Sequence, residues 1–333
     1  VADSRRIAVL GGGAWGTALA NLAARAGADV TLWAREPGHV AEMAATGVNA
    51  RRLPGVPLHA AITPTGDLAT LEGADIVLLA VPAQSLRRMA EQARPFVAED
   101  VPVVVCAKGI ERSTGLFMSD VIAAVLPNHP PAILSGPSFA EDVARGMPTA
   151  VTLAARDADG AEALAAAFAA PWFRLYHSAD IRGVEIGGAV KNVLAIASGI
   201  AAGRGLGQSA GAALIARGFA EMTRFGMAYG ADPGTLMGLA GLGDLVLTCS
   251  STQSRNYSFG VALGQGMSVA DATAQAGTVE GAQTCPILVD LAARKGVDMP
   301  IAQAVDAVLS ERSSVETVIT ALLARPAKAE AKL

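Results

Sequence analysis

The run Ile7-Ala8-Val9-Leu10-Gly11-Gly12-Gly13-Ala14-Trp15-Gly16 constrains this chain more than any other segment. Four apolar residues read as a short buried strand that stops at once on glycines placed at Gly11, Gly13 and Gly16. An alanine-rich stretch from Thr17 to Ala26 follows, with Leu19, Leu22 and Ala23 at helical spacing. Gly27 stands where a C-terminal cap belongs, and Val30-Thr31-Leu32-Trp33 reads as a second strand. Strand, glycine turn, helix and strand in this order form a dinucleotide-binding arrangement. In it Gly11 permits the tight turn, Gly13 lets the backbone approach a pyrophosphate, and Gly16 lets helix and strand pack closely. The phosphates then sit at the positive end of the helix.

The end of the second strand tunes the nucleotide. Asp or Glu there suits the ribose 2′-hydroxyl of NAD, whereas Arg accommodates the 2′-phosphate of NADP. The strand ends Trp33-Ala34-Arg35-Glu36, so Arg35 favours NADP and Glu36 keeps NAD open. Apolar runs at Asp75–Pro82, Val101–Ala107 and Ala132–Leu134 continue the alternation, and such continuously apolar strands suit a parallel sheet covered on both faces. Their carboxyl ends, where ligands gather, carry Pro82, Lys108 and the Ser135-Gly136-Pro137-Ser138-Phe139 turn. Lys108 is the one cation among them, and Thr149–Leu153 and Trp172–Tyr176 read as edge strands.

With 333 residues the chain exceeds what one core usually serves, so two domains are expected: residues 1–178 around the sheet and 179–333 beyond it. Hydrophobic residues make up 52% and charged residues 17%, which excludes global disorder. Mean hydropathy of +0.40 raises the question of a membrane. The uncharged stretch from Val121 to Ala140 is broken by four prolines, and no uninterrupted run of spanning length is read. The start, Val1-Ala2-Asp3-Ser4-Arg5-Arg6, precedes too few apolar residues for a signal-peptide core. Net charge of −4, with basic residues at most in pairs, argues against nucleic acid. Cys106, Cys249 and Cys285 are odd in number and far apart, which fits a reducing cytoplasm and no metal knuckle.

Strand patterning ends near His177–Asp180, and Ala/Gly-rich helical segments take over. In one, from Glu185 to Ala202, Gly187 and Gly188 lie one turn before Lys191. That spacing leaves room beside the lysine for a flat cofactor or small substrate, and equally fits close helix packing with Lys191 snorkelling outward. A second helix, Ala210–Tyr229, presents Arg217, Glu221 and Arg224 as an ion-paired stripe, and Gly230 ends it. Asp232-Pro233 then marks a helix start. The hydroxyl-rich run Thr248–Asn256 contains Arg255, whose guanidinium forks onto phosphates or carboxylates. A helix beginning near Asn256 would add free N–H groups for an anion. The last nine residues, Arg325–Leu333, read as a frayed tail.

Taken together the ordered blocks are specific. GGGAWGTALA from Gly11, RRLPGV from Arg51, ADIVLLAVPAQSLR from Ala74 and CAKGIE from Cys106 lie in the first half with SGPSFAEDVARGMPTA from Ser135. EIGGAVKNVLAIASGIAAG from Glu185, GLAGLGDLVLTC from Gly238, SRN from Ser254 and VEG from Val279 follow. Along nearly its whole length the chain resembles bacterial NAD(P)-dependent glycerol-3-phosphate dehydrogenases. The resemblance implies an α/β Rossmann domain followed by an all-α domain like the C-terminal domain of 6-phosphogluconate dehydrogenase. It implies reversible reduction of dihydroxyacetone phosphate to sn-glycerol 3-phosphate with NADPH or NADH, no metal, and supply of a precursor for glycerophospholipids.

By the family's roles Lys191 is the general acid/base, Lys108 contacts substrate and cofactor, and Asp244 belongs to the same polar cluster. Gly136, Ser138, Asn192, Thr248, Ser254, Arg255 and Asn256 line the substrate site, with Arg255 on the phosphate side and also toward the cofactor. Gly11, Gly13, Ala14, Trp15, Gly16, Arg35, Pro82, Ala140, Thr278 and Glu280 occupy cofactor positions. Three residues depart from the family's usual pattern: Arg204 where an acid is common, Ser209 for Asn, and Ala216 for Thr.

A lysine's ordinary pKa of about 10.4 is too high for a base at neutral pH. Burial with Lys108 and Arg255 is expected to lower that of Lys191, and Asp244 to raise it. His39, His59, His129 and His177 are scattered without triad or ligand spacing. The rival enzyme reading is a related reductase of a 3-hydroxy acid or ketopantoate, against which the Ser/Arg/Asn block argues. The non-enzyme reading is a nicotinamide-sensing regulator, for which Lys108, Lys191 and Asp244 have no purpose. The helical half holds enough small and apolar residues to support a homodimer.

Overall fold

The computed structural model describes residues 4–326. Five parallel strands and their helices come first: β1 (Arg6–Leu10), α1 (Ala14–Arg25), β2 (Asp29–Trp33), α2 (Pro37–Thr46), β3 (Ile62–Thr65), β4 (Ile76–Leu79), α3 (Leu86–Ala93) and β5 (Val103–Val105). They continue with α4 (Met118–Val125), β6 (Pro131–Ser135), α5 (Ala140–Ala144), β7 (Thr149–Ala154), α6 (Ala158–Phe168) and β8 (Phe173–Ser178). The sheet order is β3-β2-β1-β4-β5-β6-β7-β8, parallel throughout except where β7 runs antiparallel to β6. Its first six strands have the doubly wound order, and the reversal between β1 and β4 opens the crevice that binds a dinucleotide in such sheets. Burial explains the strand composition, because β4 and β5 are covered on both faces and carry only Val, Ile and Leu.

The second part is helical. It comprises α7 (Ile181–Gly203), α8 (Gln208–Ala228), α9 (Pro233–Met237), a π-turn at Leu239–Gly243, α10 (Asp244–Cys249) and α11 (Arg255–Gly264). The remainder is α12 (Val269–Ala276), α13 (Glu280–Arg294), α14 (Pro300–Leu309) and α15 (Val315–Leu323). The long helix starts four residues earlier than its periodicity suggests, because Asp180 caps it by accepting from Gly183 N at 2.8 Å. Asp232 likewise caps α9 through Gly234 N, and Gly230 ends α8 with φ of +81°.

One expectation is corrected here. Helix α7 is long and apolar enough to cross a membrane by length and composition, although no such run is read from the sequence. It is nonetheless buried inside the fold, which makes it the central core helix. From Gly183 to Ala201 every residue is buried, among α8, α10, α11 and α13. Core residues Val184 and Ala240 of the helical part pack into the cluster formed by Leu79, Val105 and Ile133 of the sheet, so the two parts share apolar contact. Residues 1–3 and 327–333, on which the leader and tail readings partly fall, lie outside the described residues. Arg325, expected in a frayed tail, instead pairs with Asp298 at 2.7 Å.

Candidate active site

The glycine turn between β1 and α1 is built as its spacing suggests. Gly11 has φ of +130°, and a Cβ there would lie 2.5 Å from the Ala80 carbonyl oxygen. A Cβ on Gly16 would lie 1.9 Å from the Gly11 carbonyl oxygen, whereas one on Gly13 would meet nothing within 4 Å. Gly13 therefore faces open space at the start of α1, which has no side-chain cap and so presents its first N–H groups outward. Trp15 Nε1 is buried beside the Cys106 thiol, and Glu280 Oε2 is buried without a partner among the described residues. An uncapped helix start, a glycine that leaves room and an orphaned carboxylate oxygen fit a bound dinucleotide.

The support beneath this turn comes from a distant loop. Buried Asn49 donates to the Gly12 carbonyl at 3.0 Å and to Thr17 Oγ1 at 2.8 Å, and its Oδ1 meets His39 Nε2 at 2.8 Å. His39 is thus a structural residue of α2. The Asn lies in a loop 37 residues from Gly12, so no local pattern announces it.

The polar cluster assembles around Asp244, the first residue of α10, whose side chain is 1% exposed. Lys191 of α7 donates to Asp244 Oδ1 at 2.6 Å and to Thr248 Oγ1 at 2.8 Å. Lys108, just beyond β5, donates to Asp244 Oδ2 at 2.7 Å and to the Gly136 carbonyl at 3.1 Å. That carbonyl also accepts from Ser138 Oγ at 3.0 Å. Gly136 is required there, because its φ is +146° and a Cβ would lie 2.8 Å from Val151 Cα. One carboxylate thus serves two ammonium groups, one from each part of the molecule.

The electrostatics follow from this burial. Desolvation lowers the Lys191 pKa to about 8; Asp244 opposes the change and Lys108 reinforces it. Burial would raise the Asp244 pKa, but Lys108 and Lys191 outweigh it and hold the carboxyl below its ordinary value. Arg255, expected to act on Lys191, instead acts on Glu280. Burial pushes the Glu280 carboxyl up against a hydrogen bond from Ala83 N–H and the Arg255 charge.

Other expected residues are placed less uniformly. Asn192 Nδ2 donates to the Lys108 carbonyl at 3.2 Å. Asn256 Nδ2 donates to Asn192 Oδ1 at 3.0 Å, while its Oδ1 accepts from Gly281 N at 2.8 Å. Both amides therefore brace α7, α11 and α13 around the cluster. Ser254 caps α11 through Tyr257 N at 3.2 Å, and Arg255 stands exposed as the first residue of that helix. Ala14 and Ala140 open α1 and α5; Pro82, shortly after β4, and Thr278, shortly before α13, are exposed. Arg35 lies apart from the cluster, exposed beyond β2.

Two readings are corrected. The space beside Gly187 is filled by protein, since a Cβ there would lie 2.3 Å from the Ala240 carbonyl oxygen; one on Gly188 would lie 2.9 Å from Ser135 Oγ and 3.2 Å from Lys108 Cγ. The glycines let the π-turn and Lys108 approach α7, and Lys191 is buried and paired rather than snorkelling. Nor is the Arg217, Glu221 and Arg224 stripe ion-paired among the described residues. Glu221 is 2% exposed and accepts from Ile301 N at 2.8 Å and Ala302 N at 3.3 Å, capping α14, while Arg224 donates to the Asp298 carbonyl at 2.9 Å. Of the departures, Arg204 pairs with Glu316 at 2.8 Å, and Ser209 and Ala216 are exposed on α8.

Comparison with known proteins agrees with this architecture. Residues 6–161 match the family model of the NAD-dependent glycerol-3-phosphate dehydrogenase N-terminus, and residues 180–320 match that of its C-terminus. The chain is 69% identical to glycerol-3-phosphate dehydrogenase [NAD(P)+] of Beijerinckia indica, over 98% of each chain. It is 61% identical to the enzyme of that name from Azorhizobium caulinodans, also over 98% of each. The crystal structure of glycerol-3-phosphate dehydrogenase from Coxiella burnetii superposes with a TM-score of 0.92 at 40% identity, covering 97% of this chain and 99% of that one.

Proposed function

The chain belongs to the NAD-dependent glycerol-3-phosphate dehydrogenase family, and we propose that Lys191 is the acid/base of its reaction. That reaction is the NAD(P)H-dependent, reversible reduction of dihydroxyacetone phosphate to sn-glycerol 3-phosphate. Bound nicotinamide cofactor supplies or accepts the hydride. Lys191 protonates the substrate's C2 oxygen in reduction and takes the same proton back in oxidation. Its lowered pKa supports the assignment, because a group near neutrality exchanges protons best at working pH.

The observation that carries this reading is the single buried carboxylate of Asp244 shared by Lys191 and Lys108. Asp244 fixes both ammonium groups and keeps Lys191 partly protonated, and Thr248 directs the Lys191 protons. Lys108 and Ser138, both on the Gly136 carbonyl, face substrate beside them. Arg255 at the start of α11 holds the phosphate, with Ser254, Asn256 and Asn192 fixing that helix end. The glycine turn, Ala14, Trp15, Pro82, Ala140, Thr278 and Glu280 enclose the dinucleotide, and Arg35 meets its ribose. When the substrate dianion binds, it raises the Lys191 pKa and favours the protonated donor.

We divide the domains between Ser178 and Ala179, a placement supported by β8 ending at Ser178 and α7 opening at Ile181. The product enters glycerophospholipid synthesis. A cytoplasmic location is supported by three buried free thiols, and a homodimer by the exposed Met227, Met237 and Leu323 of the helical part. Decay of NADPH absorbance on adding dihydroxyacetone phosphate, absent with ketopantoate, tests the reaction. Undiminished turnover in Lys191→Ala would overturn the acid/base role.

A further inference from the structure

Glu36 follows β2 and precedes the first residue of α2, the place from which an acid selects NAD by binding the ribose 2′-hydroxyl and repelling a 2′-phosphate. Here both its oxygens face guanidinium groups. Oε2 lies 3.4 Å from Arg51 Nη1, and Oε1 lies 3.9 Å from Arg35 Nη2. Arg51 is fixed from its other side, where Nε donates to Glu42 Oε2 at 2.7 Å.

The loop carrying Arg51 is not free to drift. Arg52 N and Leu53 N donate to the Asn49 carbonyl, and the Asn49 side chain is the buried brace of the Gly12 carbonyl. A chain of hydrogen bonds therefore registers Arg51 against the dinucleotide turn itself. Arg35 in turn lines a cavity of about 460 Å³ beyond β2 and β3, bounded also by Trp33, Gly66, Leu68, Arg88 and Phe96. Arg35 thus borders both this cavity and Glu36.

We infer that Arg51, by occupying Glu36, turns the ribose corner from one that selects a 2′-hydroxyl into one that accepts a 2′-phosphate, so that this enzyme selects NADP over NAD. The ion pairs are exposed and add little to stability. Their effect is on sign: the acid that would repel a phosphate dianion is neutralised, and Arg35 is left to bind it. Arg51 acts through Glu36 and is a positioning residue. The inference rests on the dehydrogenase reading for the presence of a nicotinamide dinucleotide.

The test is calorimetric binding of 2′,5′-ADP and of 5′-ADP to the full chain. Wild type is expected to prefer 2′,5′-ADP by about tenfold or more, and Arg51→Ala to lose about tenfold of that preference. The double variant Arg51→Ala, Glu36→Gln is expected to regain it, because the acid that Arg51 restrains is then gone. An unchanged preference in Arg51→Ala overturns the inference. So does a double variant as weak as the single one, which would put Arg51 on the phosphate directly. Glu36→Gln alone, expected to shift the preference less than about threefold, decides the matter if Arg51→Ala does not fold; a rise toward tenfold would mean that Glu36 was never restrained. Wild-type turnover of dihydroxyacetone phosphate is measured in parallel. Turnover without an Arg51 effect sinks this inference alone, whereas no turnover with either nucleotide sinks the reading beneath it.

Discussion

Lys191 donates to Asp244 and Thr248 and is buried, so its protonation is governed by desolvation, by Asp244 and by the Lys108 charge. With its pKa near 8, oxidation of glycerol 3-phosphate, which needs the neutral amine, should rise with pH and level off above about 8. Reduction of dihydroxyacetone phosphate needs the ammonium and should fall over the same range. Parallel pH profiles of kcat/KM, which reports the free enzyme, check both limbs, and two profiles of the same sign would refute the assignment. Replacing Lys191 with Ala should lower kcat by about 10²–10⁴-fold, the usual worth of a positioned acid/base. Asp244→Asn removes the charge that raises the Lys191 pKa, so its profile should move to lower pH. It also leaves the buried Lys191 ammonium without its counter-charge, beside a half-buried Lys108, which costs about 3–5 kcal/mol by chemical denaturation. Both lysines were legible as separate residues, one at a strand end and one on a glycine-flanked helix. Their common carboxylate was not, because Asp244 lies 53 residues beyond Lys191 and 136 beyond Lys108.

Helices α7 and α11 touch backbone to backbone. A Cβ on Gly199 would lie 2.1 Å from the Tyr257 carbonyl oxygen, and one on Gly203 would lie 2.3 Å from that of Val261. From the other side, a Cβ on Gly260 would lie 2.2 Å from the Ile196 oxygen, and one on Gly264 would lie 2.4 Å from that of Ile200. Two glycines four apart on each helix thus make facing smooth stripes, and this contact sets α11, with Arg255 at its start, beside the helix that carries Lys191. Gly260→Ala should therefore destabilise by about 1–3 kcal/mol or more, since backbone cannot give way as a side chain does. Gly211→Ala in α8 has nothing within 4 Å of the new methyl and should stabilise by about 0.5–1 kcal/mol. Urea unfolding of the pair measures both, and equal shifts would contradict the packing argument. Here the sequence held the signal without its partner: the spacings 199/203 and 260/264 can be read off, but which stripe meets which is a tertiary fact. The dinucleotide turn differs because strand, glycines and helix are contiguous, so spacing alone specifies it. Glu221 shows the opposite failure, a charged stripe whose acid turns inward to cap another helix 80 residues away.

The whole molecule depends on how its helical part is fastened to the sheet, since Lys191 and Lys108 come from opposite sides. Beyond the Asp244 cluster, α7 grips α4 with two ionisable side chains, Glu185 and Arg182. Glu185 accepts from Ser119 N at 2.6 Å and Ser119 Oγ at 2.9 Å, while Arg182 pairs with Asp120 at 3.0 Å and lies 4.1 Å above the Phe117 ring. Burial raises the Glu185 pKa to about 7, against the opposing Arg182 charge and the two Ser119 hydrogen bonds. An unfolded glutamate titrates near its ordinary value of 4.5, so between pH 4.5 and 7 the folded state binds more protons than the unfolded one. The contribution of this latch is therefore full below about 4.5 and is lost as pH rises through about 7. Glu185→Gln keeps the shape and an acceptor for Ser119 N but cannot ionise. Its stability relative to wild type should rise by about 1–3 kcal/mol between pH 5 and pH 8. Lys191, Asp244 and the other titrating groups are common to both proteins and cancel in the difference, so denaturation midpoints at the two pH values isolate Glu185. A difference that stays constant would mean that Glu185 is ionised throughout, and that the latch holds as an ion pair with Arg182 rather than as a neutral acid on Ser119.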